Sequence, residues 1–63
     1  MQKLPPTRLP RHGEEVIIHR PGHPKHNDIG EYVGLNYAQR QPRARVLIDG
    51  HVYLCDPADL IEN

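Results

Sequence analysis

The Asp49-Gly50 pair, set between RARVLI and HVYLC, constrains this chain more than any other feature. Runs rich in aliphatic, β-branched and aromatic residues on both sides of an Asp-Gly pair are the strongest short-range signal of a β-hairpin. A two-residue turn would set Val46 opposite Tyr53 and Leu47 opposite Val52, leaving each face of the hairpin a mixture of apolar and charged side chains. A three-residue loop, with Gly50 as the left-handed residue of a G1 bulge, sorts them instead. Ala44, Val46, Ile48, Val52 and Leu54 then share one face, and Arg43, Arg45, Leu47, His51, Tyr53 and Cys55 the other. A slip of one residue inverts a strand, so this segregation predicts the bulged register. It buries Val46, Ile48, Val52 and Leu54 and exposes Leu47 and Tyr53.

A chain of 63 residues makes one domain, and at this size only about 60% of the surface of the unfolded chain is buried on folding. With no Trp and no Phe, the core must come from Val, Ile, Leu and Ala. Each larger aliphatic contributes roughly 1.5–3 kcal/mol on burial, against about 1.5 kcal/mol for ordering each residue. The expectation is a marginal domain that works bound to something larger or to copies of itself.

The single cysteine, Cys55, excludes an internal disulfide, which fits a reducing compartment. No apolar run is long enough to span a bilayer, and the N-terminus lacks the apolar core of a signal peptide. A cytoplasmic location without membrane attachment is expected. Net charge is zero but unevenly placed. Residues 1–26 hold Lys3, Arg8, Arg11, Arg20 and Lys25 against Glu14 and Glu15; the remainder holds Arg40, Arg43 and Arg45 against Asp28, Glu31, Asp49, Asp56, Asp59 and Glu62. The asymmetry suits head-to-tail contacts or an acidic partner, while zero net charge weighs against a dedicated nucleic-acid binder.

Residues 1–12, MQKLPPTRLPRH, have prolines and arginines without periodicity and predict a flexible, extended arm with polyproline II character. The domain proper is residues 13–63. Gly13-Glu14-Glu15 reads as a turn feeding a short strand, Val16 to His19, with Val16 and Ile18 on one side. Arg20 to Ile29, RPGHPKHNDI, is a loop of breakers and turn formers. Gly30 to Ala38 is a second strand, with Val33, Leu35 and Tyr37 directed to the core and Gly34 marking a bulge or bend. After the hairpin, Asp56-Pro57-Ala58-Asp59 carries a helix-start signature. There is room for only one 3-10 turn, which drops Leu60 into the core and leads to a brief last strand.

The loop and the residue before it give His19, His23 and His26 a spacing that superficially matches metal ligation. Structural zinc normally takes four ligands, usually including cysteines, and Pro21 and Pro24 exclude the helical turn that would align His19 with His23. No metal and no cofactor is expected. Catalytic signatures are missing too: there is no glycine-rich phosphate loop, nucleophile elbow or HExxH. His51 and Cys55, four residues apart on an extended strand, lie about 13 Å from each other, too far for a thiolate pair. The chain reads as a non-enzyme, with Cys55 a structural residue.

The spacing Gly13-x2-Val16-x-Ile18, Gly30-x2-Val33, Val46-x-Ile48-Asp49 and Asp56-x3-Leu60, with four to five short antiparallel strands and one 3-10 turn before the last, resembles an all-β, SH3-like barrel. The resemblance covers residues 13–62. HRPGHPKH followed by Asp28-Ile29-Gly30 is similar to the histidine- and proline-containing loop of the ferredoxin–thioredoxin reductase variable chain, and small accessory subunits of this kind, including the acidic peripheral subunit of photosystem I, dock on larger proteins without catalysing anything. The Val16 to Val33 segment resembles KOW-type barrels of ribosomal and transcription proteins. The plasmid-borne dihydrofolate reductase barrel ends in a Val-Gln-Ile-Tyr active-site strand, and Val52-Tyr53-Leu54-Cys55 lacks its glutamine.

The first functional reading is therefore a non-catalytic SH3-like barrel that docks on a larger protein, or on copies of itself, as an accessory or regulatory subunit. Its contact strip would be Arg43, Arg45, Leu47, His51 and Tyr53, since mixed aromatic, aliphatic and arginine surfaces favour interface hot spots. The alternative is a KOW-like RNA-binding barrel using Arg20, Lys25, Arg43, Arg45 and Tyr53, with arginine beside an exposed aromatic positioned to stack on bases.

Overall fold

The computed structural model describes residues 9–38 and 40–63. Five antiparallel strands and one 3-10 turn follow in the order β1 (Glu15–Ile18), β2 (Ile29–Asn36), β3 (Arg43–Ile48), β4 (His51–Cys55), η1 (Pro57–Asp59) and β5 (Leu60–Glu62). They form one all-β sheet in the order β4-β3-β2-β1-β5. Of the predicted arm, residues 1–8 lie outside the described residues; Pro10 is buried, and Gly13 donates its amide to the Tyr32 carbonyl at 2.7 Å.

The core lies on one side of this sheet. Val16 and Ile18 of β1, Ala44, Val46 and Ile48 of β3, Tyr32, Cys55 and Leu60 pack together, with Leu35 and Tyr53 partly buried against them. The small size of Gly30 permits the close approach of β2 to β3. A Cβ there would stand 2.5 Å from Val46 Cγ1, 2.6 Å from Ile48 Cγ1 and 2.8 Å from the Leu47 carbonyl oxygen. On the other side of the sheet Ile17 is buried between its cross-strand partners Ile29 and Ile61.

The hairpin forms, but in the other register. Val46 is opposite Tyr53, Leu47 opposite Val52 and Ile48 opposite His51, leaving Asp49-Gly50 as a two-residue turn. Both turn residues have positive φ, 51° and 80°, as a type I′ turn requires; that turn matches the right-handed twist of the flanking strands. The expected bulged loop is thus overturned, and β4 is turned over relative to the prediction. Val52 and Leu54, expected in the core, are 51% and 41% exposed, whereas Cys55 is buried and Tyr53 packs on the core.

The bulge occurs instead in β2, where Gly34 was expected to mark one. Tyr32 pairs with Val46 and Leu35 with Ala44, so Val33 and Gly34 together oppose Arg45. The extra residue brings both Tyr32 and Leu35 to the core. The expected inward set is corrected accordingly: Tyr32 is buried, Val33 is only partly buried and Tyr37 is 72% exposed. Gly34 has φ +100°, and a Cβ on it would be 3.3 Å from the Arg45 guanidinium. At the other end of the chain the predicted 3-10 turn is present. Asp56 caps it by accepting the Ala58 amide at 3.0 Å, Pro57 occupies its first position, and Leu60 follows fully buried.

Candidate functional site

The register decides which side chains can act together. On β3, Arg43, Arg45 and Leu47 alternate with the buried Ala44, Val46 and Ile48 and so lie on the outer face. Their neighbours on β4 are Leu54, opposite Arg45, and Val52, opposite Leu47. His51 and Tyr53 belong to the opposite side, paired with Ile48 and Val46. The predicted strip is therefore divided between two faces. The outer face gains Val52 and Leu54, whose apolar character had suggested the core. An Asp-Gly pair that accepts positive φ at both positions was the signal that could have found them.

Arg45, in the middle of this face, is tied into the fold. Arg45 Nη2 donates to the Val33 carbonyl at 2.6 Å, a carbonyl next to the β2 bulge. Its Nε is buried with no hydrogen-bond partner. The other basic residues of the nucleic-acid reading are also engaged. Arg20 pairs with Asp59 at 3.4 Å, and the Lys25 ammonium lies 5.2 Å from the centre of the Tyr53 ring. Tyr53 is half-buried beneath that cation, which leaves little of its face for a base.

Cys55 sits in the core, where burial, then Asp59, then Asp56 push its thiol up to about 12. At neutral pH the sulfur is protonated, the opposite of what a thiolate nucleophile needs. Burial likewise raises the Tyr32 phenol, with the nearby Tyr37 adding to the shift. Among the described residues no group of three or more His, Cys, Asp or Glu could hold a metal ion. No helix among them is long and apolar enough to cross a membrane.

A separate groove of about 370 Å³ is lined by Leu9, Leu35, Gln41, Pro42, Asp56, Pro57 and Ala58. None of the predicted contact residues borders it. No protein-family model, curated protein or solved structure matches this chain.

Proposed function

We propose that the chain is a non-catalytic, SH3-like small barrel that docks on a larger protein through the outer face of β3 and β4. The observation that carries this reading is the exposure of Val52 and Leu54 on the same face as Leu47, beside Arg45. Strand β4 sits at the sheet edge with large apolar side chains open to water, and exposed apolar surface of this kind is a mark of interaction sites. Strand order and the 3-10 turn ahead of the last strand support the SH3-like part of the proposal. The RNA-binding alternative loses ground because Arg20, Lys25 and Arg45 are each held by contacts within the chain.

The test is a capture experiment with the full chain and its Val52→Ser, Leu54→Ser double variant, with and without nuclease and with a salt step. A protein retained by wild type through nuclease and high salt, and lost from a variant that still melts cooperatively, is the expected result. Capture that vanishes with nuclease or falls steeply with salt would indicate phosphate contacts and overturn the proposal. Equal capture by wild type and variant would place the docking face elsewhere.

A further inference from the structure

Two rows of side chains cross the outer face of the sheet from β2 to β4. The register sets Glu31, Leu47 and Val52 side by side in the first row. In the second, Val33 and Gly34 of β2 lie opposite Arg45, and Arg45 lies opposite Leu54. Between the two runs the inward row of Tyr32, Val46 and Tyr53, which packs on the core. The Arg45 guanidinium does not stand over its own strand. Its Nη2 donates to the Val33 carbonyl at 2.6 Å and is 3.3 Å from where a Cβ on Gly34 would stand. Its charge therefore lies above β2, one row from the exposed Glu31. Each row carries one charge over β2 and one exposed aliphatic side chain on β4, and the two charges have opposite sign. β3 repeats the pattern along its length, with Asp49 beyond Leu47 at one end and Arg43 beyond Arg45 at the other.

Such a face is complementary to a second copy of itself. When two copies are set face to face, a two-fold axis laid along the row Tyr32, Val46 and Tyr53 exchanges the outer rows. Glu31 then meets the second copy's Arg45 guanidinium, Leu47 meets the aliphatic stem of that arginine, and Val52 meets Leu54. Asp49 comes to the end of β3 that bears Arg43, and every contact occurs twice. An axis laid along β3 would instead set Arg45 on Arg45 and Glu31 on Val52, placing like charge on like and a carboxylate on methyl groups. The edge beside this face is already occupied. His23 Nε2 lies 2.9 Å from the Leu54 carbonyl oxygen, and the amides of Lys25 and Arg20 donate to Nδ1 of His23 and of His26 at 2.9 and 3.0 Å. A strand added along β4 would have to displace that loop, whereas a copy laid on the face does not.

We propose that the chain forms a two-fold dimer in which the outer faces of β2, β3 and β4 pack on one another about the row Tyr32, Val46 and Tyr53. Contact among Leu47, Val52 and Leu54 supplies the attraction, and the paired Glu31 and Arg45 fix the register. The dimer uses the face assigned above to docking, so a larger partner displaces the second copy. It does not depend on that reading.

Sedimentation equilibrium of the full chain tests the dimer without any other protein. A few apolar side chains make a weak interface, so the weight-average mass should rise from near one chain at roughly 10 μM toward two chains at roughly 1 mM. Glu31→Arg sets arginine against arginine at both symmetric contacts and should raise the dissociation constant about tenfold or more. Glu31 is exposed and directly opposite Glu15, so the variant loses no core contact, relieves a like-charge pair and should melt no lower than wild type. In a mixture of labelled and unlabelled chains, isotope-filtered NMR should show Val52 methyl groups of one chain against Leu54 methyl groups of the other. A chain still monomeric at roughly 1 mM, a Glu31→Arg variant that dimerises as tightly as wild type, or intermolecular contacts that leave Val52 and Leu54 apart would each overturn the dimer. Should the variant fail to fold, the wild-type mass and the intermolecular contacts decide alone. A monomer that still captures a larger protein through Val52 and Leu54 would overturn the dimer and leave the docking reading standing; a dimer with these contacts that captures nothing would do the reverse.

Discussion

The two edges of the sheet are closed by different means. β5 is three residues long; its buried Leu60 anchors it, and it ends at the acidic Glu62, beyond which the Asn63 side chain donates to Glu15. β4 is five residues long and carries no lysine, arginine, carboxylate or proline; a loop from elsewhere in the chain covers it through one imidazole. Short strands and charge are devices that guard an edge under all conditions. A loop that meets the edge at the Leu54 carbonyl guards it only while that contact holds. The edge with the weaker intrinsic defence is also the one that presents exposed apolar side chains.

The largest expected effect removes the frame from which both edges hang. Gly30→Ala would drive a methyl group into Val46, Ile48 and the Leu47 backbone, and overpacking against backbone should cost about 3 kcal/mol. That is much of the roughly 3–9 kcal/mol expected of a chain this size. Chemical denaturation should find the variant's midpoint strongly lowered; wild-type stability would mean that β2 and β3 can separate freely.

Next comes the contrast between the edges themselves. Leu60→Ala empties a fully buried site on β5 and should cost about 2–5 kcal/mol. Leu54→Ala removes a side chain that is 41% exposed on β4 and should cost about 1 kcal/mol or less. Urea midpoints for the two variants check this, and equal losses would erase the distinction.

A smaller effect separates core chemistry from edge chemistry by pH. The Cys55 thiol is raised in the folded chain, so above about pH 9 the unfolded chain gives up that proton while the folded chain keeps it. Stability should therefore fall as pH rises, by about 1.4 kcal/mol per unit at most, and Cys55→Ala should flatten the slope. A slope unchanged by the substitution would assign it to another group, Tyr32 being the next candidate.

Much of the fold was legible: every strand, the 3-10 turn with its Asp56 cap, the inward Val16 and Ile18, and the bulge signalled by Gly34. The hairpin register was not, because the argument assumed that polar and apolar residues must separate cleanly. In a domain this small both faces of a strand keep apolar groups, and turn geometry outweighed segregation. Asp49 accepts a left-handed conformation that sequence pattern alone does not enforce. The functional residues were mixed in the same way. Leu47 and Arg45 belong to the outer face as expected, but Val52 and Leu54 could be recognised there only once the register was known. The histidines stood out by spacing, yet their role as acceptors depends on backbone amides that no spacing reveals.

The β2 bulge separates two properties that a regular strand keeps together. Because Val33 and Gly34 jointly oppose Arg45, deleting Gly34 would leave Tyr32 facing Val46 and Leu35 facing Ala44. Pairing would survive the loss of a residue; the bend, and the carbonyl that Arg45 now holds, would not. A bulge bends its strand, and this one is a single insertion whose removal would not change which residues face each other across the ladder.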